Sequence, residues 1–566
     1  KCLAQISYFI VTGAPDPPAP RKVEFPKNPS SQPVSEGPGM LQIPSPSSRR
    51  LFAAALTASW LLAGMPVMAQ EVPPPIPEEA DEAATPTPGT TPAPASAPAP
   101  DAAPARKELA LDLPGRRLDY AVTAEMMPIV NGQGETTARI FVASYTARDA
   151  DRAARPVTFL FNGGPGAASA FLHLGVVGPK VLVTNADGTL TPPPARLQDN
   201  PETWLAFTDL VFVDPVGTGF SRATGKEEDA EKRFFGVQGD VSSMSEIVRL
   251  WLTRNGRWAS PKYIAGESYG GFRAVMMARH LQRDAGIALN GLVLVSPALE
   301  FSLLRGGDFD LLGWAMTLPS MAASAQALGQ GDGTSLEEAE RFALDDYLVG
   351  LASMRAPDSE EAKAFHARVA RLTGLPVEVV ERFRAKLPIQ LFAKELPQEP
   401  GRVVSLYDGT IRTPDPSPER QSVGSDPFLD ALIAPYSAVF NDYVRTELGF
   451  ETEVPYRLLN RRVSGEWSWD LGRQQGYVGA TDDLQEALAV NPDMHVLVTH
   501  GITDLVTPYL ASRWLIDQLR LPAEVKANLA VKTYPGGHMM YMRPEQRRLM
   551  NEDVAGFYER SSGERR

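Results

Sequence analysis

The chain has 566 residues, 43% of them hydrophobic, with 51 prolines, 46 glycines and one cysteine. That apolar fraction supports a sizeable core and excludes wholesale disorder, while a single cysteine, Cys2, excludes an intramolecular disulfide, a zinc cage and an iron–sulfur site. Lys plus Arg number 55 against 68 Asp plus Glu, a net charge of −13 that argues against nucleic acid or an anionic membrane surface as the main partner.

Residues 1–39 are Pro/Ser-rich without sustained periodicity, and they read as an upstream segment rather than a domain. Residues 40–69 carry an export pattern. Ser48-Arg49-Arg50-Leu51-Phe52 supplies a positive start, Leu51 to Val67 is an uncharged apolar run, and Val67-Met68-Ala69 places small residues where a signal peptidase cuts. Paired arginines fit a twin-arginine signal as well as an ordinary Sec signal. A membrane anchor is the rival reading, but the run sits at the short limit for a span, and the cleavage pattern predicts no stable membrane insertion after processing. Cutting after Ala69 leaves 49 basic against 65 acidic residues, a net charge of −16, and removes the only cysteine. Residues 70–106 form a linker: between 71 and 105 there are eleven prolines and ten alanines, a composition that favours extended polyproline conformations.

From 107 to 566 the pattern is that of a folded body. Strand-type runs occur at Asp119 to Thr123, Arg139 to Tyr145, Val157 to Phe161, Leu210 to Val213, Tyr263 to Ala265, Leu292 to Val295, His495 to Thr499 and Ala530 to Tyr534. Helical spacing appears at Glu246 to Thr253, Phe272 to Leu281, Pro508 to Gln518 and Pro544 to Tyr558. Alternation of buried strands with helices predicts an α/β protein with a mostly parallel sheet covered on both faces. Between about 301 and 480 charged helical segments dominate, including Ser335 to Leu351 and Ser359 to Leu372, which predicts a mainly helical cap over the sheet's carboxyl edge. Although the length alone suits two to four domains, these runs describe one sheet domain with an insertion.

Gly266-Glu267-Ser268-Tyr269-Gly270 falls directly between a strand and a helix. A G-x-S-x-G in that setting is a nucleophile elbow, which lifts a serine hydroxyl above the sheet edge at the amino end of a helix. Serine needs a base to take its proton and a third group to orient that base. Among six histidines, His538 lies just past the last strand, and His500 is the second choice because it also ends a strand. Asp504 follows in the same loop as His500, so Ser268, Asp504 and His538 stand in the chain order of an α/β-hydrolase triad. The glycine-rich loop Asn162-Gly163-Gly164-Pro165-Gly166 is the natural source of oxyanion-binding N–H groups. No dinucleotide fingerprint or metal-ligand spacing is present, so no metal or organic cofactor is expected.

The glycine loop, Asp214-Pro215-Val216-Gly217-Thr218-Gly219-Phe220-Ser221, the elbow and Gly536-Gly537-His538-Met539 together resemble the serine carboxypeptidases, peptidase family S10. The resemblance covers roughly residues 110–560 and implies an α/β-hydrolase fold with a helical insertion. It further implies that Ser268 attacks the scissile carbonyl, His538 acts as general base and acid, and Asp504 orients the imidazole. The N–H groups of Gly164 and Tyr269 would form the oxyanion hole, and Asn162 with Glu267 would bind the substrate's terminal carboxylate. Two features depart from the family: Val176 stands where a second glutamate is usual, and Ala167 replaces a cysteine, as in a disulfide-free bacterial-type member.

The expected function is therefore an exported, periplasmic or secreted serine carboxypeptidase acting on peptides with a free C-terminus through an acyl-enzyme. The alternatives are a serine esterase or acyltransferase using the same triad, and a non-catalytic envelope protein that binds in the cleft.

Overall fold

A strand buried on both faces of a sheet must be apolar at every position rather than at alternate ones. Val157–Phe161 meets that requirement, with all five residues buried, and it forms one of the central strands. In this computed structural model the described residues are 103–562, apart from 149, 226, 305, 306, 354 and 472–477. The expected segments 1–39 and 40–69, and the linker as far as residue 102, lie outside the described residues.

The main sheet contains β1 (Ala105–Leu113), β2 (Arg116–Val130), β3 (Thr136–Ala147), β4 (Val157–Phe161), β5 (Asp209–Val213), β6 (Lys262–Glu267), β7 (Gly291–Val295), β8 (His495–Gly501) and β9 (Leu529–Tyr534). Their spatial order is β1-β2-β3-β5-β4-β6-β7-β8-β9, with the two residues Arg222–Ala223 paired to β3 off this path. β1, β2 and β3 form an antiparallel meander and β3 meets β5 antiparallel. From β5 to β9 every pairing is parallel. The expected mostly parallel α/β sheet is thus present, with an antiparallel front edge. β1 already begins at Ala105, where alternating exposure in a charged stretch hides a strand from an apolar-run search.

The pleat divides each central strand between two cores. Phe159, Phe161, Ile264, Leu292 and Val498 face one core, while Leu160, Tyr263, Ala265, Val293 and Leu497 face the other. The first core is closed by α1 (Val237–Asn255) and α2 (Tyr269–Asp284), whose Trp251 and Phe272 are fully buried. Between β7 and β8 the chain inserts α3 (Leu311–Ala327), α4 (Glu360–Thr373), a short hairpin of Arg402–Val404 with Arg412–Pro414, α5 (Pro427–Thr446) and α6 (Thr481–Val490). α5 starts cleanly because Asp426 accepts the Leu429 N–H and Pro427 occupies the first turn, where a missing N–H costs nothing. It packs into the second core together with α8 (Pro544–Ser561), while α7 (Tyr509–Gln518) packs into the first. No helix among the described residues is long and apolar enough to cross a membrane.

Register brings the expected site to one edge. Phe161 is level with Gly266, Val295 with both Glu267 and Thr499, and Gly501 with Tyr534. The loops that follow β4, β6, β7, β8 and β9 therefore leave the sheet side by side, which is where open parallel sheets bind ligands.

Candidate active site

Ser268 sits at φ 59°, ψ −123°, between the end of β6 and the first residue of α2. This conformation is strained for a residue with a Cβ, and it is held by the Ser268 N–H to the Val295 carbonyl at 2.9 Å and the Gly271 N–H to the Ser268 carbonyl at 2.9 Å. Gly266 is obligatory for the turn, because a Cβ there would lie 2.0 Å from the Gly270 carbonyl oxygen. Ser268 is partly exposed into a cleft of about 590 Å³, whose lining also includes Asn162, Gly164, Glu267, Tyr269 and His538. Among the described residues the Ser268 hydroxyl has no hydrogen-bond partner, and no direct hydrogen bond joins it to His538.

His538 is held from three sides. Its Nδ1 lies 2.7 Å from Asp504 Oδ2 and 3.0 Å from the Thr507 hydroxyl. Its carbonyl accepts the Ser296 hydroxyl at 2.8 Å, and its N–H donates to the Tyr407 carbonyl. The Tyr407 ring meets the imidazole edge-on with centroids 5.1 Å apart. Burial lowers the basicity of His538, but the charge and hydrogen bond of Asp504 and the charge of Glu267 outweigh it and leave the imidazole above its ordinary value. Asp504 is fully buried; its Oδ1 accepts the N–H groups of Val506 and Thr507 at 2.8 and 3.0 Å, which fixes the carboxylate against rotation. With Nδ1 engaged, Nε2 is left without a hydrogen-bond partner among the described residues.

His500, the second candidate base, is directed elsewhere. Its Nε2 lies 2.8 Å from the Ser512 hydroxyl on α7, and complete burial pushes the imidazole down to about 4.

Asn162 and Glu267 meet as a buried polar pair. Asn162 Nδ2 donates to Glu267 Oε2, while Asn162 Oδ1 accepts the Leu172 N–H at 3.0 Å. Burial pushes the Glu267 carboxyl up to about 7, against the opposing influences of His538, Tyr541 and Asn162. The N–H groups of Gly164 and Tyr269 find no acceptor among the described residues, and both residues line the cleft beside Ser268. Val176 does not line the cleft. It is wholly buried in the second core, and its carbonyl accepts Asn200 Nδ2 at 2.7 Å, so a glutamate at that position would enter apolar packing.

Several groups that shape this site carry no sequence signal of their own. Arg273 on α2 donates to the Asn162 carbonyl at 2.7 Å and pairs with Asp240 of α1 at 2.7 Å, tying the glycine loop to the serine helix inside the core. Tyr407 arrives from the insertion. Thr507 lies three residues past Asp504, the spacing of a local side-chain-to-backbone turn, and that spacing is the one clue available beforehand.

A sheet of this order, with helices on both faces and a strand–serine–helix turn at its carboxyl edge, is that of the α/β-hydrolases. Residues 128–303 match the model of the serine carboxypeptidase family, Peptidase S10. Over that stretch, about a third of its length, the chain is similar to that family. It is 23% identical over 375 residues to serine carboxypeptidase-like 36 of Arabidopsis thaliana, covering 65% of each chain. It is 33% identical over 144 residues to the pheromone-processing carboxypeptidase KEX1 of Yarrowia lipolytica, covering 25% of this chain and 21% of that protein. The matches thus span less than two thirds of these relatives' own lengths. The crystal structure of KEX1(delta)p, a prohormone-processing carboxypeptidase from Saccharomyces cerevisiae, shares the fold with a TM-score of 0.51 at 16% identity, over 78% of this chain and 91% of that one.

Proposed function

We propose that this chain is a serine-type carboxypeptidase that removes C-terminal residues from peptides. The observation that carries the reading is the buried Asn162–Glu267 pair in the same cleft as Ser268 and His538. An exopeptidase needs a group that recognises the terminal carboxylate at a fixed distance from the nucleophile, and Glu267 immediately precedes Ser268 in the chain. A protonated Glu267 donates to a carboxylate, whereas an ionised one repels it. The upward shift of Glu267 keeps the protonated form available on the acid side of neutrality.

In this mechanism Ser268 Oγ bonds to the scissile carbonyl carbon as His538 Nε2 takes its proton. Asp504 stabilises the imidazolium, and the N–H groups of Gly164 and Tyr269 receive the developing oxyanion. The C–N bond breaks as His538 passes the proton to the leaving amine. Water then attacks the acyl-enzyme, His538 takes the water's proton, and Ser268 regains it as the acid product leaves. Export belongs to the same proposal and rests on the pattern at residues 40–69, with the Pro/Ala-rich stretch from residue 70 as a spacer that ends where β1 of the hydrolase domain begins at Ala105.

A serine esterase or acyltransferase is the second reading, and the place of Val176 in the core favours it, because the cleft then has no second glutamate there to share a substrate carboxylate. One experiment separates the two. Chain beginning at residue 70 is incubated with N-blocked dipeptides, their C-terminal amides and simple esters. Release of the last amino acid only when its carboxylate is free supports the carboxypeptidase; equal turnover of amides or esters supports the second reading. Fluorophosphonate labelling that disappears in Ser268→Ala identifies the nucleophile, and labelling that persists would remove Ser268 from that role.

A further inference from the structure

Glu267 is gripped by a second donor that the reading above does not use. The Tyr541 hydroxyl lies 2.8 Å from Glu267 Oε1 and 3.0 Å from Oε2. Tyr541 follows His538 by three residues, in the short 3₁₀ turn Met540–Met542, and is fully buried. Its ring lies against Gly175, where a Cβ would come 2.6 Å from Tyr541 Cε2. Tyr541 does not line the cleft, so it reaches a substrate only through Glu267. Oε2 already accepts from Asn162, so Oε1, bonded by Tyr541 alone, is the oxygen left to carry a proton toward a ligand.

We propose that Tyr541 is a positioning residue for substrate selection: its hydroxyl, shared between both carboxyl oxygens of Glu267, governs how Glu267 meets a free C-terminal carboxylate. This rests on the carboxypeptidase reading. A phenol can donate to an ionised carboxylate and favours it, so Tyr541 opposes the burial that keeps Glu267 protonated. The phenol itself stays neutral, since burial and the charge of Glu267 hold it well above its ordinary value. The other titratable groups that face Glu267 are the imidazole of His538, the carboxylate of Asp504 and the phenols of Tyr436 and Tyr407. Tyr541, unlike these four, hydrogen-bonds the carboxyl directly.

The test is Tyr541→Phe, which removes one oxygen and keeps the ring. With an N-blocked dipeptide, KM for the unaltered enzyme rises as pH passes through the ionisation of Glu267. In Tyr541→Phe the rise moves to higher pH by about one unit, the size expected for loss of a hydrogen bond to a charged group. Replacing Tyr541 by 3-fluorotyrosine, a stronger donor of nearly the same shape, moves the KM rise to lower pH and serves if the Phe variant does not fold. A KM rise at one pH in all three proteins is the behaviour of a packing residue and overturns the inference. Failure of the carboxypeptidase reading is seen earlier and separately: the unaltered enzyme would cleave amides as readily as free acids, and both proposals would fall.

Discussion

A Cβ on Gly163 would stand 2.6 Å from the backbone nitrogen of Tyr269. The same atom would lie 2.7 Å from the Glu267 carbonyl and 2.9 Å from Ser268 Cβ, so the glycine loop after β4 touches the serine turn backbone to backbone. This closeness brings the N–H groups of Gly164 and Tyr269 to one wall of the cleft. Gly163→Ala is expected to force the two loops apart and lower kcat by about 100-fold or more, the cost of losing one oxyanion donor. Hydrolysis of an N-blocked dipeptide, with circular dichroism to confirm folding, measures it; near-normal kcat would show that the two loops need not touch.

Asp504 accepts three hydrogen bonds apart from that of His538. Asp504→Asn keeps the shape but loses the charge that orients and stabilises the imidazolium, and kcat is expected to fall by about 10⁴-fold. Retention of most activity would assign the orienting role elsewhere.

The charge of Glu267 raises the basicity of His538, and in the proposed function the Glu267 proton meets a substrate carboxylate. Glu267→Gln removes the charge and keeps the acceptor for Asn162 and Tyr541. The acid limb of kcat is expected to move to lower pH, because His538 loses a neighbouring anion. KM for N-blocked dipeptides should no longer rise near pH 7. Pre-steady-state and steady-state profiles from pH 4 to 9 test both parts, and an unshifted acid limb would contradict the coupling.

Asp214, buried below the glycine loop, accepts the Ser169 N–H at 2.8 Å and is pushed by burial from 3.8 up to about 7. The unfolded chain therefore releases this proton first as pH rises. The associated stability is fully present below pH 3.8 and gone above about 7. At 1.36 kcal/mol per unit, the upper limit is roughly 4 kcal/mol. Asp214→Asn should flatten the fall in Tm between pH 4 and 7, and raise Tm at pH 7.5. An unchanged slope would assign the pH dependence to other groups.

Val176→Glu places a carboxylate in a core with no partner provided for it. The expected outcome is a loss of several kcal/mol of stability, seen as a lower Tm or insoluble protein, and no gain in selectivity for free carboxylates. A soluble variant with sharpened selectivity would mean that the loop can turn residue 176 into the cleft.

Much of this architecture is local and so was legible beforehand. Val157 to Phe161 reads as a buried strand because both faces of a central parallel strand are covered, and the turn at Ser268 is announced by glycines on either side of a strand-to-helix switch. The chain order of Ser268, Asp504 and His538 follows from the loops they occupy. β1 was less legible: Arg106, Lys107 and Glu108 lie in a half-exposed edge strand, where pairing with β2 rather than apolar content makes the element.

The sequence reading already placed His538 ahead of His500, and the third dimension shows how differently the two are held. Both lie at the ends of neighbouring strands, but His500 is paired in register with Thr533, and its side chain turns under α7 to Ser512. His538 lies beyond its strand, free to reach Asp504. Composition and order along the chain thus determined a disulfide-free α/β body and the loops that carry its candidate site residues. Only tertiary structure decided that Tyr541 meets Glu267 across 274 positions, that Arg273 holds the Asn162 carbonyl, and that Val176 faces the core. Strand and turn signals arise from residues a few positions apart, whereas these contacts depend on register and pleat, which bring distant side chains to one place without marking any of them in the sequence.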